Sequence, residues 1–404
     1  MYPKPQRSTR PLIAVAAAAA VAAALGLSSA PASAETYKLF VNLPLSGPWS
    51  NFGEGMYNAF KLAVDQGNAS GQLGDDKLEV VRGDNAGDTA QGASLAVKAG
   101  TDKSVVGVFC CWTSGIGLAT HSIYNRYAVP VILGGSNDHR TTRPFHKSAV
   151  IFRNSPYDLV NMKMAATYAV NVGGFKKIYT IDDNSAFATT QVNEFTKVAK
   201  EIGGDGVIIG RESIVPGEKD FTSLLTKIKP LQPDLVFFGG RIVEASLIRQ
   251  QMKQLGYTAP IMSSGGVFSD TFIEITGEAA NGALASFWGL PMAHYPEGRG
   301  TQFEADYTAA NFNQPYESFG PMAYAAGQVY VQAVAAAAKK GDVTRKAVLA
   351  ELNDSEFETM LGDFRFDEHG MLDILHIAIY RVEDGKWQIK YRTDRQATEL
   401  LKVE

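Results

Sequence analysis

Apolar and polar positions fall into two rhythms that take turns along this chain. Short apolar runs of four to seven residues read as buried strands. Each run is followed by a small-residue loop, then by apolar positions three and four apart, which read as helices. Residues 37–43, Tyr-Lys-Leu-Phe-Val-Asn-Leu, open the series as a strand. The loop after it, 44–53, is turn-rich and carries Trp49 and Phe52 as exposed aromatics; a helix follows over 55–66, with Tyr57, Phe60 and Val64 on one face. Residues 77–82 alternate as a second strand, and Asp88 is placed to cap a helix over 90–99.

The most informative stretch is 104–127. Ser-Val-Val-Gly-Val-Phe is a buried strand that ends abruptly at Cys110-Cys111-Trp112-Thr113-Ser114-Gly115. Ile116, Ala119, Ile123 and Tyr127 then recur at helical spacing. Thr113 or Ser114 caps that helix, because a hydroxyl there accepts from the free N–H groups of the first turn. Strand, tight loop and helix N-terminus leave backbone donors and a positive helix end pointing at one spot, which suits an anion or a carbonyl oxygen. An ordinary strand-to-helix turn with a buried Trp112 fits this stretch equally well.

A fourth strand, 129–133, ends in Gly134-Gly135-Ser136-Asn137-Asp138, and a break follows at 154–157. A second series then begins. Helix 158–172, strand 177–181, loop 182–187, a helix to about 202, strand 206–210, a helix after 217–221, strand 234–238, helix 243–256 and strand 260–262 repeat the pattern. Near the end, 374–381 and 386–391 form a hairpin across Glu383-Asp384-Gly385. Strands alternating with helices predict α/β architecture, with right-handed crossovers and two doubly wound parallel-sheet lobes. No low-complexity linker separates the two series, so the chain is expected to cross between lobes several times.

The first 34 residues are read as a leader rather than as structure. Lys4, Arg7 and Arg10 precede an Ala-rich apolar segment, and Ala32-Ser33-Ala34 is a small-residue cleavage signal. Cleavage after Ala34 predicts an exported, periplasmic protein. It removes three basic residues and no acids, which makes the net charge of −4 more negative by three. An acidic chain lacks the basic face a nucleic-acid partner requires. The 404 residues are enough for two domains of ordinary size. The only two cysteines are the adjacent Cys110 and Cys111. Neighbouring cysteines close a strained ring, so two free buried thiols are expected. Six scattered histidines and one Cys pair give no ligand spacing, so no metal and no cofactor is expected. Nucleophile elbows, dinucleotide-binding turns and phosphate loops are also missing, which argues against an enzyme.

Several loop segments together resemble the periplasmic binding proteins of ABC transporters, of the leucine/isoleucine/valine type. They are Leu45-Ser-Gly-Pro48 with Gly53, Asp84-Asn-Ala-Gly-Asp88, Pro216-Gly-Glu-Lys-Asp-Phe221, Phe238-Gly-Gly240, and Met360-Leu-Gly362 with Phe366-Asp-Glu-His-Gly370. The resemblance runs from about residue 37 to the end. It implies a ligand cleft between two α/β lobes, 35–155 with 287–366 and 156–286 with 367–404. It implies a monomer that captures a small organic acid, amino acid or amide and delivers it to an inner-membrane ABC permease. An exported sensor and, from another class, a periplasmic enzyme are the competing readings. The family's binding positions fall on Phe52, Cys111, Trp112, Thr113, Ser114, Gly135, Asn137, Phe187, Arg241, Gly265 and Phe319, and Ser136 between two of them is a further ligand candidate. Trp49 either lines the cleft or covers its loop, and Tyr157 is a hinge or a cleft residue. Arg241 either meets the ligand or pairs with Glu244, Asp182 or Asp183.

Two departures bear on the ligand. Cys-Trp-Thr-Ser is more like the amide- and urea-binding branch than like the Ser-rich stretch of amino-acid binders. The family's amino-acid binders place a Glu on the ligand ammonium where this chain has Gly265, and a Tyr where it has Arg241. Donors at both ends of the pocket predict an organic acid, aromatic or branched, ahead of an unmodified aliphatic amino acid.

Overall fold

Residues 1–4, 34–141, 150–374 and 376–393 are described by the structure, a computed structural model. The leader assigned to 1–34 lies largely outside them. The chain divides at residue 35 into Met1–Glu35 and Thr36–Glu404, and the fold below is that of the second unit.

The first sheet has five parallel strands: β1 (Thr36–Asn42), β2 (Lys77–Val81), β3 (Val105–Cys110), β4 (Val131–Leu133) and β5 (Ile151–Arg153). Their order is β2-β1-β3-β4-β5. Helices α1 (Ser50–Ala69), α2 (Thr89–Thr101) and α3 (Ser114–Arg126) make the crossovers. Asp88 caps α2 by accepting from the Gln91 N–H at 2.7 Å. Thr113 caps α3 by accepting from the Ile116 N–H. After β5 the chain enters α4 (Asp158–Thr167), which runs into a π-helical turn over 168–172.

The second series follows as β6 (Ile178–Asp182), α5 (Ala186–Gly203), β7 (Ile208–Ser213), α6 (Thr222–Ile228), β8 (Leu235–Gly239), α7 (Ile242–Gln254), β9 (Ile261–Ser264), α8 (Asp270–Thr276) and β10 (Leu284–Phe287). Helices α9 (Arg299–Ala309), α10 (Gly320–Lys339) and α11 (Arg345–Asp354) come next, with α10 lying against α1. Gly67 and Gly327 allow that approach: a Cβ on Gly67 would sit 2.4 Å from Val331, and one on Gly327 would sit 2.8 Å from the Phe60 carbonyl. A small ribbon, β11 (Phe357–Thr359) with β12 (Gly362–Phe364), precedes the closing hairpin β13 (Ile377–Glu383) and β14 (Lys386–Thr393). The second sheet therefore runs β14-β13-β10-β9-β8-β6-β7.

Both sheets carry the parallel βα series that the sequence predicts, and the expected closing hairpin adds to the second sheet antiparallel to β10. Two sequence expectations are corrected. Phe52 lies on the first turn of α1 and is buried, because that helix begins at Ser50 and takes in part of the expected loop. Cys110 and Cys111 are joined as a disulfide rather than left as thiols. Neighbours in a strand point to opposite faces, but Cys111 takes a left-handed φ of 70°, which folds its side chain back towards Cys110. Among the described residues no helix is long and apolar enough to cross a membrane.

Candidate functional site

Both parallel series reverse strand order once, and the two reversals build the site. In the first sheet the order turns at β1 and β3; in the second it turns at β6 and β8. Loops leaving adjacent strands at such a point part to opposite faces and open a crevice at the carboxyl ends. Trp49 and Phe52 follow β1, and Trp112 follows β3. Phe187 follows β6, and Arg241 follows β8.

Those side chains meet. The Trp112 ring stacks on Phe52 with centroids 4.8 Å apart, lies 5.7 Å from Trp49, and meets Phe319 edge-on at 5.9 Å. A Cβ at position 135 would come within 2.9 Å of the Trp112 ring, so Gly135 makes room for it. The Arg241 guanidinium carbon lies 4.4 Å from the Trp112 ring centre and 4.2 Å from that of Phe187, with Trp49 at 5.7 Å. A cation between aromatic faces is held by their negative π-clouds. Burial pulls the Arg241 pKa down to about 10, against the pull of Asp183, Asp158 and Glu244, so it stays charged at neutral pH. Of the partners considered for it, Asp182 pairs with Arg211 at 2.8 Å, and Glu244 accepts from the Gly217 N–H at 3.0 Å. Among the described residues no hydrogen bond or ion pair engages the Arg241 guanidinium, which leaves its donors facing an open groove of about 1660 Å³.

Polar side-chain atoms buried without a partner among the described residues include Trp112 Nε1, Ser114 Oγ, Asn137 Nδ2, Arg153 Nε and Nη1, and Asp158 Oδ2. Asp158 is fully buried at the start of α4, and its N–H donates to the Asn137 carbonyl at 3.0 Å. Sequence reasoning passed over Asp158, because an acid in a first helical turn reads as a dipole partner. Gln191, which donates to Asp158 Oδ1 at 3.0 Å, was likewise hidden on the buried face of α5.

The remaining candidates stand further back. Cys111 Sγ lies 3.5 Å from Thr120 Oγ1, on the buried side of α3. Ser136 Oγ points at Gly117, where an added Cβ would be 2.1 Å away. The Thr113 hydroxyl is engaged as the cap. Tyr157 is fully buried with the Arg153 guanidinium 4.4 Å over its ring, next to where the chain passes from β5 to α4. At Gly265 an added Cβ would come within 3.0 Å of both Phe287 and Trp288. These two rings exclude a longer side chain at that position.

The sequence profile described as periplasmic binding protein matches residues 36–386. The chain belongs to the periplasmic binding protein family. Among relatives of this binding protein, the Leu/Ile/Val-binding protein homolog 2 of Brucella abortus is 29% identical over 353 residues, covering 86% of this chain and 91% of that one. The leucine-, isoleucine-, valine-, threonine- and alanine-binding protein of Pseudomonas aeruginosa is 28% identical over 357 residues, covering 88% and 92%. Among solved structures, a branched-chain amino acid transporter substrate-binding protein of Streptococcus pneumoniae in complex with isoleucine superposes with a TM-score of 0.77 at 25% identity, covering 89% and 99%. A solute-binding protein of R. palustris in complex with 4-hydroxybenzoate superposes with a TM-score of 0.77 at 18% identity, covering 91% and 100%.

Proposed function

We propose that this protein is the periplasmic solute-binding component of an ABC importer, and that it captures a small organic acid with an aromatic middle. The observation that carries the ligand class is the Arg241 guanidinium between Trp112 and Phe187 with its donors free. Guanidinium matches a carboxylate bidentately, and the Trp112 indole N–H and Ser114 hydroxyl add donors nearby. The rings of Trp49, Phe52 and Phe319 suit a flat ligand body. Position 265 has no room for the acid that would serve an ammonium. Related proteins of this fold are known with isoleucine and with 4-hydroxybenzoate bound, and the donor-rich cleft favours the second kind of ligand.

In this reading Trp49, Phe52, Trp112, Ser114, Asn137, Phe187, Arg241 and Phe319 touch the ligand, and Tyr157 serves the hinge. In this reading the ligand leaves unmodified, as the binding role of the family implies. Lobes of 35–155 with 287–366 and 156–286 with 367–404 fit the strand membership of the two sheets. The family implies an inner-membrane permease partner, and in this reading the protein acts as a monomer. A thermal-shift screen against aromatic acids, aliphatic acids, amides and amino acids tests the reading, because a ligand of the folded state raises the melting temperature by mass action. Stabilisation by aromatic acids is the expected result; stabilisation by leucine or valine alone would contradict it.

A further inference from the structure

The groove is larger than the ligand assigned to it needs. Small-molecule pockets usually measure about 300–1000 Å³, and this groove measures about 1660 Å³. Beyond the rings around Arg241 its lining is apolar. Phe268, Ile273, Met292 and Trp387 all line it, and all four stay partly exposed. They come from separate elements: Phe268 lies between β9 and α8, Ile273 on α8, Met292 after β10 and Trp387 on β14. The Trp387 indole N–H donates to the Ser269 carbonyl at 3.1 Å, which holds its ring beside Phe268, with centroids 5.2 Å apart. A run of ring contacts joins this shelf to the Arg241 site. Trp112 meets Phe319 at 5.9 Å, Phe319 meets Phe287 at 5.6 Å, and Phe287 stacks on Phe268 at 4.7 Å. The two series also meet inside the groove at a second point, where Ser269 Oγ donates to Glu317 Oε2 at 2.8 Å. With that contact and the one between Arg241 and Trp112 both made, the shelf is still open. Partly exposed apolar groups gathered from several elements along one groove mark a binding surface, unlike single surface hydrophobics.

We propose that this shelf receives an uncharged apolar tail of the same ligand whose carboxylate meets Arg241. The ligand is then an elongated aromatic acid, with a second ring lying on Phe268 and Trp387. This rests on the aromatic-acid reading above. The charges along the groove decide what the tail carries. Apart from Arg241, its charged lining residues among the described ones are Glu244, Asp270, Glu274, Glu304 and Glu317, with Lys386 as the one further cation. Glu244 and Glu317 already accept from Gly217 and Ser269. A second carboxylate on the tail would meet mostly like charge, so the groove admits a monoacid and disfavours a diacid.

Calorimetry with benzoate, 4-benzyloxybenzoate and 4-(4-carboxybenzyloxy)benzoate tests the assignment. The wild-type protein should bind 4-benzyloxybenzoate about tenfold or more tighter than benzoate, the weight of burying one further ring. The diacid should lose most of that gain. Phe268→Ala should bind benzoate as the wild type does, which shows that it is folded, and should lose the gain. Ile273→Glu puts a charge on the shelf from a partly exposed helix position and should lose it too; it serves if Phe268→Ala does not fold. Equal wild-type affinity for benzoate and 4-benzyloxybenzoate, or a gain that survives in a folded variant, overturns the shelf and leaves the acid reading standing. A diacid that binds as tightly as the monoacid overturns the uncharged tail. Failure of all three acids to bind at millimolar concentration overturns the acid reading, and this inference with it.

Discussion

Trp112 touches Trp49, Phe52, Phe319 and the Arg241 guanidinium, so one side chain joins loops from both sheets. Truncating such a central anchor should weaken binding of the acid ligand by about 2 kcal/mol or more. Wild-type affinity in folded Trp112→Ala protein would refute the placement. Asp158 makes a different prediction, readable without ligand. Its native pKa is raised by burial to about 7, above the ordinary carboxylate value. The folded state therefore holds this proton more tightly than the unfolded chain. The resulting stability is present in full below about pH 4 and lost as pH rises through about 7. Asp158→Asn removes the titration, so thermal melts should show the variant gaining on the wild type between pH 5 and pH 8. Parallel pH profiles would show that Asp158 is not buried in this way. In the sequence, Trp112 stands out by its place between a buried strand and a helix N-terminus, and Arg241 by the resemblance to the binding-protein family. The unpartnered Asp158 Oδ2 was not legible there, since nothing in a helical pattern says which buried polar atom stays without a partner.

At the scale of elements, sequence and structure agree wherever local pattern decides. Strands β1, β3, β6 and β8 and the caps at Asp88 and Thr113 follow from apolar runs and from first-turn hydroxyls or carboxylates. Strand β5 has three residues and β10 four, too few to carry a period. The pairing of the closing hairpin with β10 is a long-range choice that its own sequence does not encode. The disulfide at Cys110–Cys111 depends on one left-handed residue, another feature that composition does not announce. The start of α1 was also hidden, although Gly53 marks it. An added Cβ there would lie 1.9 Å from the Pro44 carbonyl oxygen, so the helix and the preceding loop are in direct backbone contact. Gly53→Ala gains roughly 1 kcal/mol of helix propensity but must push that contact apart, at about 1–3 kcal/mol or more for overpacking. Urea unfolding should show net destabilisation; a neutral or stabilised variant would mean that the loop moves freely.

At the scale of the whole molecule, two sheets with the same strand reversal bring four loops to one crevice, and a long helix pair, α1 with α10, ties the late segment to the first half. In the proposed reading, a ligand gripped by rings from one side and a guanidinium from the other would hold the halves together. Small-angle scattering should therefore show a smaller radius of gyration at ligand saturation than without ligand, and unchanged profiles would count against closure. The central claim is that Arg241 receives a carboxylate. Calorimetry on wild-type and Arg241→Ala protein, with benzoate and with benzamide as its uncharged match, tests it most directly. The account predicts that the substitution weakens benzoate far more than benzamide. Sub-micromolar binding of leucine or valine, unaffected by Arg241→Ala, would contradict it.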